Sequence, residues 1–375
     1  MNYSIPTLCL AGLLSLSSCQ PAAEQTTGPA PAQAALAKFE PPAGKCLLFV
    51  GQELEAIGGL EAYSDGYYDH FEAPGGFTMY TNFRPGDESF GHIYKGVDGV
   101  KTTDDWGDSP SNMSLQIADE DFAHSALAIG LELVNHTDEI AAGVHDSLIL
   151  ELGTFLQSLG RRPVFLRIGY EFDGHAWNHY NREEYLGSFH RIKDMYDSMG
   201  IDNIAYVWQC TGWGSDYEAL EAWYPGDEYV DWCGYSHFAR WPEAQPMLDF
   251  ARNHQKPVFV AEATPTLGSP TVKEDGQTIP LDLNDPEQAQ QAWDEWFVPF
   301  FETIHQNEDV IKAISYINCY WKSHPMWENN PTFQYVDARL QQNEMISEKW
   351  KAEMASGRYL HSSAGLFDQL WGDKK

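Results

Sequence analysis

The chain has 375 residues, 43% hydrophobic and 14% aromatic, which is ample apolar material for a large globular core. Asp and Glu number 55 against 23 Lys and Arg, a formal charge of −32 at pH 7 that repels a phosphate backbone and excludes nucleic acid as a partner. Beyond the first residues, no apolar run reaches the roughly 18 needed to span a bilayer, so membrane association is expected through an anchor only.

Residues 5–18 form an apolar stretch of signal-peptide length that ends in small residues before Cys19. Leu16-Ser17-Ser18-Cys19 resembles a bacterial lipobox, which implies that Cys19 is lipidated and becomes the first mature residue. Met1-Asn2-Tyr3-Ser4 lacks the usual positive charge, and Gln20 is not the aspartate associated with inner-membrane retention. Residues 1–19 are therefore expected to be a lipoprotein signal peptide that exports the chain and anchors it in a bacterial outer membrane, on its periplasmic or cell-surface side. Residues 20–40, mostly Ala, Pro, Gln and Thr, cannot offset their own ordering entropy and read as a flexible tether. A catalytic domain is expected over 41–357, with a C-terminal extension over 358–375.

Eight short runs rich in Val, Ile, Phe, Tyr and Trp follow in order: Cys46 to Val50, Phe77 to Asn82, Ala126 to Val134, Val164 to Tyr170, Ile204 to Gln209, Val230 to Ser236, Val258 to Ala263 and Ala313 to Tyr320. Amphipathic stretches such as Glu184 to Met199, Tyr217 to Trp223, Ala244 to Asn253 and Glu287 to Gln306 separate them, and Gln342 to Met354 supplies a final covering helix. Eight strand-and-helix units predict a closed α/β structure, the (β/α)8 TIM barrel, in a single domain. The first strand is not followed by the glycine pattern of a dinucleotide site, which disfavours an open doubly wound sheet. Cys46, Cys210, Cys233 and Cys319 lie in or beside strand-like segments and read as buried thiols. If the fifth and sixth strands are neighbours, Cys210 and Cys233 are candidates for a disulfide.

In a barrel of this kind, chemistry collects just past the C-terminal ends of the strands. After the fourth run comes Arg167-Ile168-Gly169-Tyr170-Glu171-Phe172-Asp173-Gly174-His175-Ala176-Trp177, and the seventh ends Val260-Ala261-Glu262-Ala263. An ionisable glutamate at the end of an apolar strand is costly unless it serves a purpose. Two such groups on opposite sides of one barrel mouth suit retaining glycoside cleavage, which needs an acid and a nucleophile roughly 5 to 5.5 Å apart. An apolar wall keeps the acid protonated, and hydrogen-bond donors keep the nucleophile ionised.

These residues resemble the glycoside hydrolases of clan A, and within it family 26. Arg167, Glu171, Phe172, Asp173, Gly174 and Trp177 match that family's fourth-strand motif, and Trp223-Tyr224-Pro225-Gly226-Asp227 is similar to its approach to the sixth strand. The resemblance spans about residues 45 to 355. It implies a retaining hydrolase without cofactor, with Glu171 as acid/base and Glu262 as nucleophile. Tyr170 stands where the family usually has His, and Ser236-His237-Phe238 where it usually has Tyr, so Tyr170, Tyr235 and His237 are all candidates to orient Glu262.

Trp208, Trp213, Trp241 and Trp321 lie at or past strand ends, from which an indole can stack on a sugar ring. Arg167, His175, His179, Arg182, His237, Arg240, Lys322 and His324 gather cationic or titratable groups near the same ends, a pattern that would suit an anionic, algal-type polysaccharide. Glu171, Asp173, His175 and His179 could also be read as metal ligands, since the two histidines are four apart and would share a helical face, but no other ligand set accompanies them and no metal is expected. The residues expected to bind substrate are Arg167, Tyr170, Asp173, His175, Trp177, Trp208, Trp213, Tyr235, His237, Arg240 and Trp321. The predicted function is endo-acting, retaining hydrolysis of an extracellular β-linked polysaccharide; the alternative is a barrel that binds surface glycan without cleaving it.

Overall fold

Strands covered on both faces need no polar alternation, and each of the eight predicted runs forms one. The computed structural model describes residues 36–105, 107–238, 244–266, 271–272, 278–279, 281–330 and 332–372. Its strands are β1 Cys46–Gly51, β2 Gly76–Asn82, β3 Ala126–Glu132, β4 Val164–Ile168, β5 Ile204–Cys210, β6 Trp232–His237, β7 Val258–Ala263 and β8 Ile311–Ile317. They pair in parallel in chain order, and β1 also pairs with β8, Leu47 opposite Ala313 and Gly51 opposite Ile317, so the sheet closes. This is the expected (β/α)8 barrel. β4 stops at Ile168, short of the predicted Tyr170, because Gly169 and Glu171 take left-handed backbone angles, φ 54° and 52°.

The helices form the outer layer. Arg182–Ser198 starts at Asn181, whose side chain accepts from the Glu183 and Glu184 N–H groups and so satisfies two of the helix's unpaired donors. Its Tyr185, Phe189, Ile192 and Tyr196 form the buried stripe. The single helix predicted from Glu287 to Gln306 is Pro286–Ala292 and Val298–Gln306, joined through a π-helical turn at Trp293–Phe297. Among the described residues, no helix is long and apolar enough to cross a membrane.

Leu47, Phe49, Phe165, Trp232 and Phe259 fill the barrel near the strand N-termini, where Phe39, Leu366 and Leu370 join the same cluster. Phe39, expected in the tether, packs edge-on against Trp371 at 5.1 Å between ring centroids. The C-terminal extension is likewise part of the fold: Tyr359–Leu360 pairs with β1, and the helix Leu366–Trp371 helps to cover the barrel's N-terminal end. Cys46, Cys210, Cys233 and Cys319 are buried and free. β5 and β6 are neighbours, but Cys233 stands opposite Trp208 and Cys210 opposite Tyr235, so the candidate disulfide is out of register and is not formed.

Candidate active site

Side chains inside the barrel recur with period two along each strand. Following that phase, the interior layer nearest the C-terminal ends is polar: Tyr80 above Thr78 on β2, Arg167 above Phe165 on β4, Gln209 above Val207 on β5, and Ser236 two beyond Gly234 on β6. Room for it comes partly from Gly130 on β3, where a Cβ would lie 2.4 Å from the Tyr80 ring and 2.8 Å from the Arg167 guanidinium.

β7 reaches this layer by breaking the alternation. Phe259 and Ala261 face the interior cluster, whereas Val258, Val260 and Ala263 pack in the outer one. Strict alternation would turn Glu262 outward. Instead the register with β6 slips after Tyr235 opposite Val260, and Ser236 stands opposite Glu262. This bulge, of a kind that commonly re-aims side chains beside active sites, turns Glu262 into the barrel mouth.

There Glu262 Oε1 accepts from Tyr80 Oη at 2.8 Å and from Arg167 Nη1 at 2.5 Å. Arg167 is fully buried, so its charge is stabilised chiefly by this pairing. Arg167 Nη1 also donates to Gln209 Oε1 at 2.9 Å, and Gln209 Nε2 donates to Ser236 Oγ at 3.0 Å. Ser236 Oγ in turn donates to Glu171 Oε1 at 2.5 Å. One hydrogen-bonded chain therefore links the two carboxyl groups.

Glu171 sits in a different environment. Burial, then the charge of Glu262, raise its pKa to about 8 against the opposing pull of Ser236, so it holds a proton at neutral pH. Its left-handed backbone is fixed from behind: Gly174 N–H donates to the Glu171 carbonyl at 2.7 Å and Asn178 Nδ2 at 2.6 Å. Phe172, the next residue, is buried and stacked on Trp208 with ring centroids 4.6 Å apart and planes 6° from parallel. A protonated carboxylic acid thus shares the mouth with a second carboxyl group held by a phenol and a guanidinium.

The other predicted residues divide. Tyr170 lies between the Tyr80 and Trp177 rings, with centroids at 5.2 and 5.6 Å, and forms a side wall of the site. Trp177 and Trp213 are exposed by 38% and 62% and can meet a sugar. Asp173 braces the loop that carries Trp213, accepting from Thr211 N–H at 2.7 Å and Ser215 Oγ at 2.5 Å. His175 is exposed beside Trp223, 5.5 Å away.

Several expectations need correction. Trp208 is wholly buried and serves as the backing of Phe172. Trp321 is 1% exposed, stacked on Phe333 with centroids 4.4 Å apart, and offers no open face. Tyr235 and His237 point out of the barrel, in the phase opposite to Ser236; Tyr235 joins the outer core, and the His237 ring packs against Trp296 and Phe300. Neither orients Glu262, and Tyr170 makes no hydrogen bond to it among the described residues; Tyr80 and Arg167 take that role. Arg240 and Trp241 lie outside the described residues. Tyr80, Gln209 and Ser236 were not singled out from sequence, although their interior phase was readable once the strands were placed.

A closed barrel with two unlike carboxyl groups at the C-terminal ends of β4 and β7 has the architecture of the clan A glycoside hydrolases. The chain belongs to glycosyl hydrolase family 26, whose family model matches residues 134–326, just over half of the chain. It is 32% identical over 291 residues to a β-1,3-xylanase of a Vibrio species, covering 73% of this chain and 60% of the relative. A β-1,3-xylanase of an Alcaligenes species is 30% identical over 336 residues, covering 86% and 66%. The chain thus spans less than two thirds of the length of these relatives. A family 26 β-mannanase from Bacteroides ovatus superposes over 88% of this chain and 94% of its own with a TM-score of 0.54, a likeness of fold at 14% identity.

Proposed function

We propose that the protein is an endo-acting, retaining hydrolase of a neutral β-1,3-linked xylan, with Glu262 as nucleophile and Glu171 as acid/base. The observation that carries this reading is the hydrogen-bonded chain Glu262–Arg167–Gln209–Ser236–Glu171, which joins two carboxyl groups in unlike surroundings at one mouth. A Glu262 oxygen attacks the anomeric carbon as its bond to the leaving oxygen breaks, and Glu171 gives that oxygen its proton. The resulting glycosyl ester is opened by water, whose proton returns to Glu171 while Glu262 departs as carboxylate. Both steps are served by these two groups, and no cofactor enters them.

The β-1,3-xylanase relatives support the linkage and the sugar. An anionic glycan is less well supported, because three of the eight groups expected to receive it are otherwise engaged. Arg167 is committed to Glu262, His237 to an aromatic pocket, and His324 to Asp108 at 2.8 Å. We further propose export and lipidation at Cys19, which the Leu16–Cys19 motif supports; metabolic labelling with a fatty acid should mark the wild type and not Cys19→Ser.

The deciding experiment is product analysis on β-1,3-xylan, β-1,4-mannan and a sulfated glycan, with proton NMR of the first products. Short β-1,3-xylo-oligosaccharides released as the β anomer are expected. Initial α anomer would remove Glu262 as nucleophile. Wild type no faster than Glu171→Ala and Glu262→Ala on every glycan would leave a binding protein instead.

A further inference from the structure

A second cluster of ligating groups lies away from the carboxyl pair, in the segment that follows β3. His136 Nδ1 is 3.1 Å and His145 Nε2 2.7 Å from the same oxygen, Glu139 Oε2. One ligand atom from each of the three residues lies within 4.8 Å of the others. Ligands at about 2.0 to 2.2 Å around a tetrahedral zinc stand about 3.3 Å apart, so small side-chain shifts would bring these three onto one ion.

Two further features fit a ligand set better than a solvated charge pair. The other nitrogen of His136, Nε2, faces Asp87 Oδ2 at 3.5 Å, the carboxylate–histidine arrangement that fixes the tautomer of a metal-ligating ring. The imidazoles are largely covered, with side chains only 21% and 15% exposed and centroids 5.2 Å apart, while Glu139 is open enough at 46% for an ion to enter. The backbone prepares the site too: Asn135 is left-handed at φ 63°, His136 precedes the helix Thr137–Ala142 that carries Glu139, and His145 precedes the helix Asp146–Ser158. All three ligands fall within ten residues, so closing the loop costs little entropy.

We propose that His136, Glu139 and His145 bind one divalent cation of the zinc class, with Asp87 holding His136 from behind. The ion serves as a staple. Through Asp87 it ties the segment after β3 to the segment after β2, where Arg84 lies 3.7 Å from Asp87 and 3.4 Å from Glu132. The site takes no part in the two glutamate steps and stands or falls separately from them.

Untagged protein stripped with chelator and titrated with zinc chloride by calorimetry tests this. One equivalent should bind to wild type, none should bind at this site in His145→Ala, and affinity should fall at least tenfold in Glu139→Gln and roughly 10- to 100-fold in Asp87→Asn. Hydrogen exchange should show residues 133–146 protected by zinc in wild type alone. Glu139→Gln alters an exposed side chain and keeps the test open if a histidine variant misfolds. Wild type that binds no zinc at micromolar concentration overturns the proposal. So does stoichiometric binding that survives both His145→Ala and Glu139→Gln, which would assign the ion to other groups such as the buried thiols.

Discussion

Tyr80→Phe is the sharpest test of how Glu262, the proposed nucleophile, is held. It deletes one oxygen, that of the hydroxyl donating to Glu262 at 2.8 Å, and leaves the ring in its contacts with Tyr170 at 5.2 Å and the Arg167 guanidinium at 5.0 Å. Among the described residues, Glu262 then keeps Arg167 as its donor. A hydrogen bond to a charged group contributes about 1.5 to 3 kcal/mol, and each 1.4 kcal/mol is about a factor of ten, so kcat should fall about 10- to 150-fold. KM should change little, because the bond is made to Glu262 and not to substrate. The assay is initial-rate hydrolysis of β-1,3-xylan beside a thermal melt. A variant melting with wild type and retaining more than half of its kcat would refute the assignment of Tyr80 as the orienting donor.

Three other outcomes follow from the same geometry. The pH profile of kcat/KM should lose activity as pH rises through about 8, where Glu171 gives up its proton, and Ser236→Ala, which removes a donor to the ionised form, should move that limb to higher pH. Trp213→Ala should raise KM on polymer about 2- to 10-fold with little change in kcat, the loss expected of one exposed stacking surface, and an unchanged KM would remove it from the cleft. Stability should fall between pH 5 and 8, because burial raises Glu53 to about 8, Glu132 to about 7 and Glu171 to about 8, so the folded chain binds more protons than the unfolded one across that window. Melting temperatures across it should decline less steeply in Glu132→Gln, and an equal slope would show that Glu132 is not buried as a neutral acid.

The barrel was legible because apolar runs and helical spacing are local properties, and eight repeats have few ways to close. Glu171 was legible because its motif is contiguous. The tryptophans were not: Trp208 past a strand reads alike whether it receives a sugar or backs Phe172, and only the 6° stacking between them decides. Trp321 is hidden by Phe333 and Trp327, residues of a later loop whose return over it leaves no local mark. Tyr80 leaves no local mark either, because Phe77-Thr78-Met79-Tyr80 reads as one apolar run, in which no residue type advertises the interior face.

Glu262 shows how a position at the barrel mouth can be expected for an incomplete reason. Its place at the end of the seventh strand suggested the barrel mouth, yet the alternation of Val258, Phe259, Val260 and Ala261 points position 262 at the helices, and only the slipped register on β6 brings it back. β4 meets the same difficulty with a left-handed turn at Glu171. Each carboxyl group is therefore set by a local departure from strand geometry, and β6 ties the two departures together, since Ser236 is the register partner of Glu262 and the hydrogen-bond donor to Glu171. The placements of the two carboxyl groups are thus linked through one small residue, Ser236.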